Sequence, residues 1–394
     1  MNTSLMPRVL LLTLCIFLAG RVIAAPRVDY DIQLLTARSG YDGTRCWVHA
    51  RAGVVMDNGP TVIMTMQQLD VSGSDLFHGL HLMRTTDLGV TWQGPVAQPV
   101  FTRTRNGAGL ETVVCDFTPK WHEKTGVLLG TGHIAQYRDN KLAPDRRRTT
   151  AYAVYDADAG AFKPWRPLAM PEDDAFLNSG AGSTQRVDLP DGDILLPVYH
   201  KAPADPQYSS SVLRCRFDGE TLSVIETGNP LSVPIKRGLY EPSLAFFQDR
   251  FYLTLRNDDD GYVAVSDDGL RFDAPRVWRF DDGEPLGNYN TQQHWVTHPE
   301  GLFLVYTRRG ADNDHVFRHR APLFMARIDP ERLCVVRETE RILVPEHGAR
   351  LGNFGVAQVS DDETWVTAAE WMQPAGCEQH GSDNTVFVAR ILWK

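Results

Sequence analysis

The sequence predicts an all-β protein, a six-bladed propeller of four-stranded antiparallel blades around a central channel, and three observations carry that prediction. Apolar and β-branched runs alternate with turn clusters, and no stretch sustains a 3.6-residue periodicity. Gly and Pro number 32 and 24 of 394 residues, as a turn-rich chain needs. A hairpin-like unit opens at residues 49, 111, 185, 241, 292 and 353, a period of about 61 residues that suits one blade with its loops. A two-domain β-sandwich is the runner-up, but its strands would not repeat on this period. The hydrophobic content of 43% allows a large core and excludes disorder.

Residues 1–25 carry Arg8, an apolar run from Val9 to Ala19 and the small-residue pattern Val22-Ile23-Ala24, the shape of a secretory signal peptide. The expectation is therefore a single propeller over residues 26–394 in a secreted or periplasmic protein. Leu14 before Cys15 argues against a lipid anchor, and no other stretch is apolar enough to span a bilayer. Removing Arg8 and Arg21 from 40 basic residues leaves 38 against 49 acidic, a formal charge of −11 that disfavours nucleic acid as a partner. Cys46, Cys115, Cys215, Cys334 and Cys377 are odd in number and widely spaced, so neither a disulfide framework nor a zinc site is expected. Nothing in the sequence calls for a cofactor or a metal.

Each repeat is a polar residue opening a strand, a tight turn, and a second strand ending in polar residues. The first runs from His49 through Asp57-Asn58-Gly59 to Gln67-Gln68. The second runs from Glu111 through Glu123–Gly126 to His133, and the third from Gln185 through Pro190-Asp191-Gly192 to Tyr199-His200. The fourth joins Glu241 to Arg256 across Gln248-Asp249. The fifth joins Gln292 and His294 to Arg308 across Pro299-Glu300-Gly301, and the sixth joins Asn353 to Glu370 across Asp361-Asp362. In a hairpin, residues equidistant from the turn lie side by side. Glu241 and Arg256 are therefore expected as neighbours, and the polar ends of all six hairpins should converge on one mouth of the channel, the default place for a site.

Thr85-Thr86-Asp87-Leu88-Gly89-Val90-Thr91-Trp92 resembles the Asp box of the sialidase superfamily, and Ser266-Asp267-Asp268-Gly269-Leu270-Arg271-Phe272 looks like a degenerate copy. Tyr240-Glu241 with Arg256 fifteen positions later is similar to the sialidase blade that carries a catalytic glutamate and a carboxylate-binding arginine. Gln185–Gly192 with Leu195-Leu196-Pro197 resembles the superfamily's third blade. The resemblance runs in order from about residue 45 to 372.

It implies an exo-glycosidase that binds a sugar carboxylate through three arginines, because guanidinium offers a planar fork of donors. Arg256 and Arg320 fill two of these places. The first-blade arginine motif is replaced by Val48-His49-Ala50-Arg51-Ala52, so Arg51 supplies the fork or His49 has replaced it. Asp75 matches the family's acid/base aspartate, with Asp70 second. The family's nucleophilic tyrosine is replaced by Gly352-Asn353-Phe354-Gly355, with Tyr289 and Tyr306 as neighbouring phenols. The expected site is thus Glu241, Asp75 and His49 as catalytic groups, with Arg51, Arg256, Arg320, Gln185, His294, Glu111 and His133 binding substrate and no metal. The expected partner is a glycan or oligosaccharide, with sialic acid the family's sugar.

Plainer readings stand beside these. Glu241 and Arg256 could be a cross-strand ion pair alone, and His49, His133, His200 and His294 ordinary satisfied histidines. His315 and His319 would share a face only on a helix. Arg146-Arg147-Arg148 reads as a solvated loop and Asp258-Asp259-Asp260 as an acidic turn. Two functional alternatives remain: a propeller-fold polysaccharide lyase or rhamnosidase-type enzyme working through His49, His133 and His294, and a non-catalytic glycan-binding propeller.

Overall fold

A computed structural model describes residues 28–394 apart from Asp57, Asn58, Pro60, Ser74 and Asp145. The expected signal segment at residues 1–25 lies outside the described residues. The described chain is all-β, with only short 3-10 turns between strands. No helix in it is long and apolar enough to cross a membrane.

The strands assort into six antiparallel sheets. The first is a meander of Arg45–Val55, Thr61–Asp70, Phe77–Thr85 and Gln93–Ala97. The second is built on Glu111–His122, Val127–Arg138 and Thr150–Asp156. The third pairs two-residue strands, Ser179–Gly180 and Val187–Asp188, with Ile194–His200, and continues through Ser209–Phe217 and Leu222–Thr227. The fourth comprises Tyr240–Phe247, Arg250–Arg256, Tyr262–Ser266 and Arg276–Val277. The fifth is built on His294–His298, Gly301–Tyr306 and Leu323–Asp329. The sixth joins Gly355–Ser360, Glu363–Ala369 and Val386–Trp393 to the N-terminal strand Tyr30–Arg38.

The arrangement is propeller-like. Inner strands touch neighbour to neighbour, and that of the sixth sheet meets that of the first. Burial supplies the driving force, because each sheet is apolar on both faces and each adjacent pair shares a core. Leu196 and Leu213 of the third sheet pack on Tyr152 and Val154 of the second, and Trp278 of the fourth on Leu304 and Ala326 of the fifth. Trp365 of the sixth closes against Val54 and Val62 of the first. Counted by continuous inner strands of five residues or more, the blades number five rather than the expected six, because the third sheet's inner position is broken between Ser179–Gly180 and Val187–Asp188.

The two loops singled out in the sequence join the outer two strands of the first and fourth sheets. Asp87 accepts hydrogen bonds from the Thr91 N–H at 2.9 Å and hydroxyl at 2.6 Å. Asp268 accepts from the backbone of Leu270 and Arg271 at 2.8 and 2.7 Å. Both are turn devices in which a carboxylate satisfies the loop's N–H groups. The five described cysteines are buried and unpaired.

Candidate active site at the channel mouth

Non-glycine residues rarely take a left-handed backbone. Here one does so where each of five sheets turns its innermost segment toward the channel: His49 (φ 57°), Asp116 (53°), Ser183 (57°), Glu241 (46°) and Asn353 (62°). In three cases the strand register slips at that point, between Val48 and Arg51, Cys115 and Thr118, and Tyr240 and Ser243. A bulge re-aims one side chain off the sheet. Repeated around the ring, it delivers polar groups to a common centre.

Asp116 is the hub. Its Oδ1 accepts from Ser183 Oγ at 2.5 Å, Asn353 Nδ2 at 3.0 Å and Arg51 Nη2 at 3.0 Å. His49 Nε2 lies 3.4 Å from Oδ1, and His133 Nε2 lies 3.8 Å from Oδ2. Burial works against ionisation of Asp116, yet His49, Arg51 and His133 hold its carboxyl far below the usual carboxylate range. Burial pushes His49 down and His133 down to about 3, against the opposing pull of the Asp116 carboxylate. Gln67 spends its amide N–H groups on the carbonyls of His78 and Val114, so its oxygen accepts from His49 Nδ1, leaving His49 Nε2 to accept from Asn353. Gly182 must be glycine, because a Cβ there would lie 1.7 Å from His133 Nδ1.

Above the hub a cavity of about 730 Å³ opens at the mouth. Glu241 and Arg256 face each other in it, with Arg256 Nη1 2.6 Å from both carboxylate oxygens and Nη2 2.8 Å from Asn290 Oδ1. Arg320, on the loop ahead of Leu323–Asp329, donates to the Asn290 carbonyl. Arg350 stacks 4.2 Å over Trp371 and donates to Gln373 at 2.9 Å. Arg320 and Arg350 have no carboxylate within ion-pair distance among the described residues. Burial and the like charges of Arg256, Arg350 and Arg318 push Arg320 well below the ordinary guanidinium range. Burial, offset in part by Asp75 and reinforced by Arg318, pushes Arg350 down to about 10. The Nε atoms of Arg256, Arg320 and Arg350 are all buried without a partner. Among the described residues the site carries an excess of positive charge and unspent donors, the electrostatics of an anion cradle.

Of the residues expected from sequence, Glu241, Arg256, Arg320, Asp75 and His133 line this cavity. His49 lies in the channel beneath, 2% exposed. The expectation of Arg51 as a fork for substrate does not fit its position: it is 0% exposed and spends Nη2 on Asp116 and on Ser183 at 2.6 Å. Gln185 does not reach the mouth. It bridges the N–H and carbonyl of Trp295 and lines a separate cavity of about 480 Å³ at the far end of the channel. The hairpin pairing assumed for it fails because Val187 faces Leu195 whereas Gly180 faces Tyr199. Glu111 pairs with Arg103 at 3.2 Å, outside the cavity. His294 is buried between Ser243 Oγ, 2.7 Å away, and the Phe354 carbonyl, and does not line the cavity. His200 is spent on Ser211.

The described residues place no tyrosine hydroxyl on Glu241. Tyr306 donates to Glu340 and Tyr289 meets His319, both away from the cavity. His315, on a loop, is bonded to Glu346, and His319, at the end of the 3-10 turn Phe317–His319, to Asp314. Arg148 is not part of a solvated loop: it faces the cavity with Tyr199 and Tyr208, and Asp258 is held by Arg237 and Tyr240.

Sequence reasoning missed Asp116, Ser183 and Arg350. Asp116 was within reach, because reflecting His133 through the centre of the turn between His122 and Val127 lands on Asp116 and not on Glu111. Ser183 sits in a broken strand with no periodic signal. Arg350 lies three residues before Asn353, in a loop that no strand pattern marks.

No family model and no curated protein matches the chain. Solved structures do. A protein of unknown function from Dyadobacter fermentans is 15% identical, with a TM-score of 0.64 over 92% of this chain and 99% of that one. Trypanosoma rangeli sialidase is 13% identical at a TM-score of 0.59, covering 93% of this chain but 60% of the sialidase. The NanB sialidase of Streptococcus pneumoniae is 9% identical at 0.61, covering 90% and 70%. At these identities the similarity is one of fold: the chain has the propeller-type fold of the sialidases.

Proposed function

We propose that the protein is a sialidase-like glycoside hydrolase that removes a terminal, carboxylated sugar from glycans. The observation that carries this reading is the convergence of Arg256, Arg320 and Arg350 beside Glu241 in one cavity, two of the three without a carboxylate of their own among the described residues. Arg350, not Arg51, completes the fork. Asp75, on the loop at the cavity edge, is the group to protonate the leaving oxygen, and Glu241 the group to polarise the attacking one. We read all six sheets as blades, the third with a broken inner strand, and residues 1–25 as the signal that sends the protein to the periplasm or outside the cell.

A second reading has one specific observation in its favour. His133 stands between the Tyr199 hydroxyl, 3.4 Å from Nδ1, and Asp116, an arrangement suited to proton abstraction beside a carboxylate and hence to elimination. Both are tested by incubating wild type and Glu241→Gln with sialosides and uronate oligosaccharides, following reducing ends and ultraviolet absorbance. Sialoside hydrolysis lost in the variant supports the hydrolase. An absorbing, unsaturated product lost in Tyr199→Phe supports the lyase, and saturable binding without turnover supports a glycan-binding protein.

A further inference from the structure

The mouth holds more positive charge than one sugar carboxylate requires. Among the described residues eight arginines line the cavity against four carboxylates, those of Asp75, Asp116, Glu241 and Asp258. The protein as a whole carries a formal charge of −9, so this concentration is local. A single carboxylate on Arg320 and Arg350 leaves most of the excess unanswered.

Arginines stand on either side of a cluster of three tyrosine rings in the cavity wall. On one side Arg256 lies 4.6 Å over the Tyr240 ring, with Arg320 and Arg350 beyond it. Tyr240 is followed by Tyr208 and Tyr199, each with its centroid 6.2 Å away. Tyr199 and Tyr208 are 5.7 Å apart, which closes a triangle, and Arg148 lies on its far side from Arg256, 5.3 and 5.4 Å from the rings of Tyr199 and Tyr208. Arg146 and Arg147 stand beside it, exposed, and none of the three has a carboxylate partner among the described residues. Tyr208 accepts from Arg148 Nη1 at 2.6 Å and from Asn178 Nδ2 at 3.4 Å, which leaves its own O–H free to donate.

We propose that the second set of arginines, Arg146 to Arg148, receives an anionic group on the sugar next to the terminal one, so that the ligand is a glycan with acidic residues in succession. This rests on the carboxylated-sugar reading above. The cavity volume suits a ligand of disaccharide size, and the tyrosine cluster between the two groups of arginines gives the second sugar an aromatic wall.

The test is calorimetric binding of thio-linked, uncleavable probes: disialic acid, with two carboxylates, and sialyl-lactose, whose second sugar is neutral. Wild type, Arg146→Ala/Arg147→Ala and Arg320→Ala are compared, with thermal melting to confirm folding. Charge-assisted hydrogen bonds to a second carboxylate are expected to make wild type prefer disialic acid by about tenfold or more. The double variant should lose that preference while its affinity for sialyl-lactose stays the same. Equal affinity for the two probes in wild type, or a preference that survives the double variant, overturns the proposal and leaves the carboxylate site standing. Binding that persists undiminished in Arg320→Ala, or no binding of either probe, overturns the carboxylate reading and this proposal with it.

Discussion

Asn353 Nδ2 lies 3.0 Å from Asp116 Oδ1, a bond across 237 residues that ties the sixth sheet to the second over the mouth of the channel. The same nitrogen is 3.1 Å from His49 Nε2 of the first sheet. Asn353→Leu removes one donor from a buried carboxylate and leaves the ring's seam unbridged. A loss of about 1–3 kcal/mol in unfolding free energy is expected by denaturant titration; no loss would mean that Arg51 and Ser183 suffice for Asp116.

Arg320 illustrates charge held against its own stability. Arg320→Met removes a buried cation surrounded by like charges, so the variant is expected to be as stable as wild type or about 1 kcal/mol more so, while binding of acidic sugars falls tenfold or more. Melting and titration of the same preparation read both effects. A lower melting temperature with binding intact would reverse the assignment.

For Glu241 the two obvious substitutions should part company. Glu241→Gln keeps an acceptor for Arg256 and is expected to fold while losing turnover. Glu241→Ala leaves Arg256 buried without a counter-ion, at a cost of about 3–5 kcal/mol. Equal stability of the two variants would mean that Asn290 holds Arg256 unaided.

Under the proposed hydrolase reading, the stereochemistry of the product tests whether Glu241 works without a phenol on it, as it stands among the described residues. If the proposed hydrolase reading holds, direct attack by water is expected to give a product of inverted anomeric configuration, visible by proton NMR in the first minutes. Retention would point to a protein nucleophile in the cavity.

The buried histidines set the acid limit of the fold. His133 and His294 are each pushed down to about 3 by burial, against about 6.5 in an unfolded chain. Their contribution is complete above pH 6.5 and is lost progressively as pH falls toward 3, because the unfolded chain takes up protons that the folded one refuses. The depressed Asp116 adds a further loss below about pH 4. Unfolding titrations from pH 7 to 3 should show stability falling throughout, with a shallower slope in His294→Gln, where the Ser243 and Phe354 contacts can be kept by an amide.

How much of this was legible in the sequence differs by residue. The hairpin carrying Glu241 and Arg256 was readable because its turn is tight and its register holds out to Ser243 and Thr254; the slip beyond sets Tyr240 opposite Arg256, yet leaves the Glu241 carboxylate within reach of the guanidinium. The third sheet defeated the same arithmetic, since Ser183 lies in a gap between two short strands and Gln185 points to the opposite end. Arg51 was misassigned because alternation along an extended strand does not foresee the slip at His49, which turns the next residues inward. The five left-handed positions do have a compositional trace: His, Asp, Ser, Glu and Asn occupy them, all polar and none β-branched. That trace becomes readable only once the six hairpins are superposed.

The strand Tyr30–Arg38 is the outermost member of a sheet whose other three strands come from the last forty residues, and the Lys394 N–H donates to the Asp29 carbonyl at 3.1 Å. The early strand therefore waits for a partner made more than three hundred residues later. Until Val386–Trp393 has been synthesised, the early strand has no partner and the ring stands open, with an unpaired edge and an uncovered apolar face exposed to other chains. Closure of the ring therefore joins two segments more than three hundred residues apart in sequence, the longest-range pairing that the fold demands.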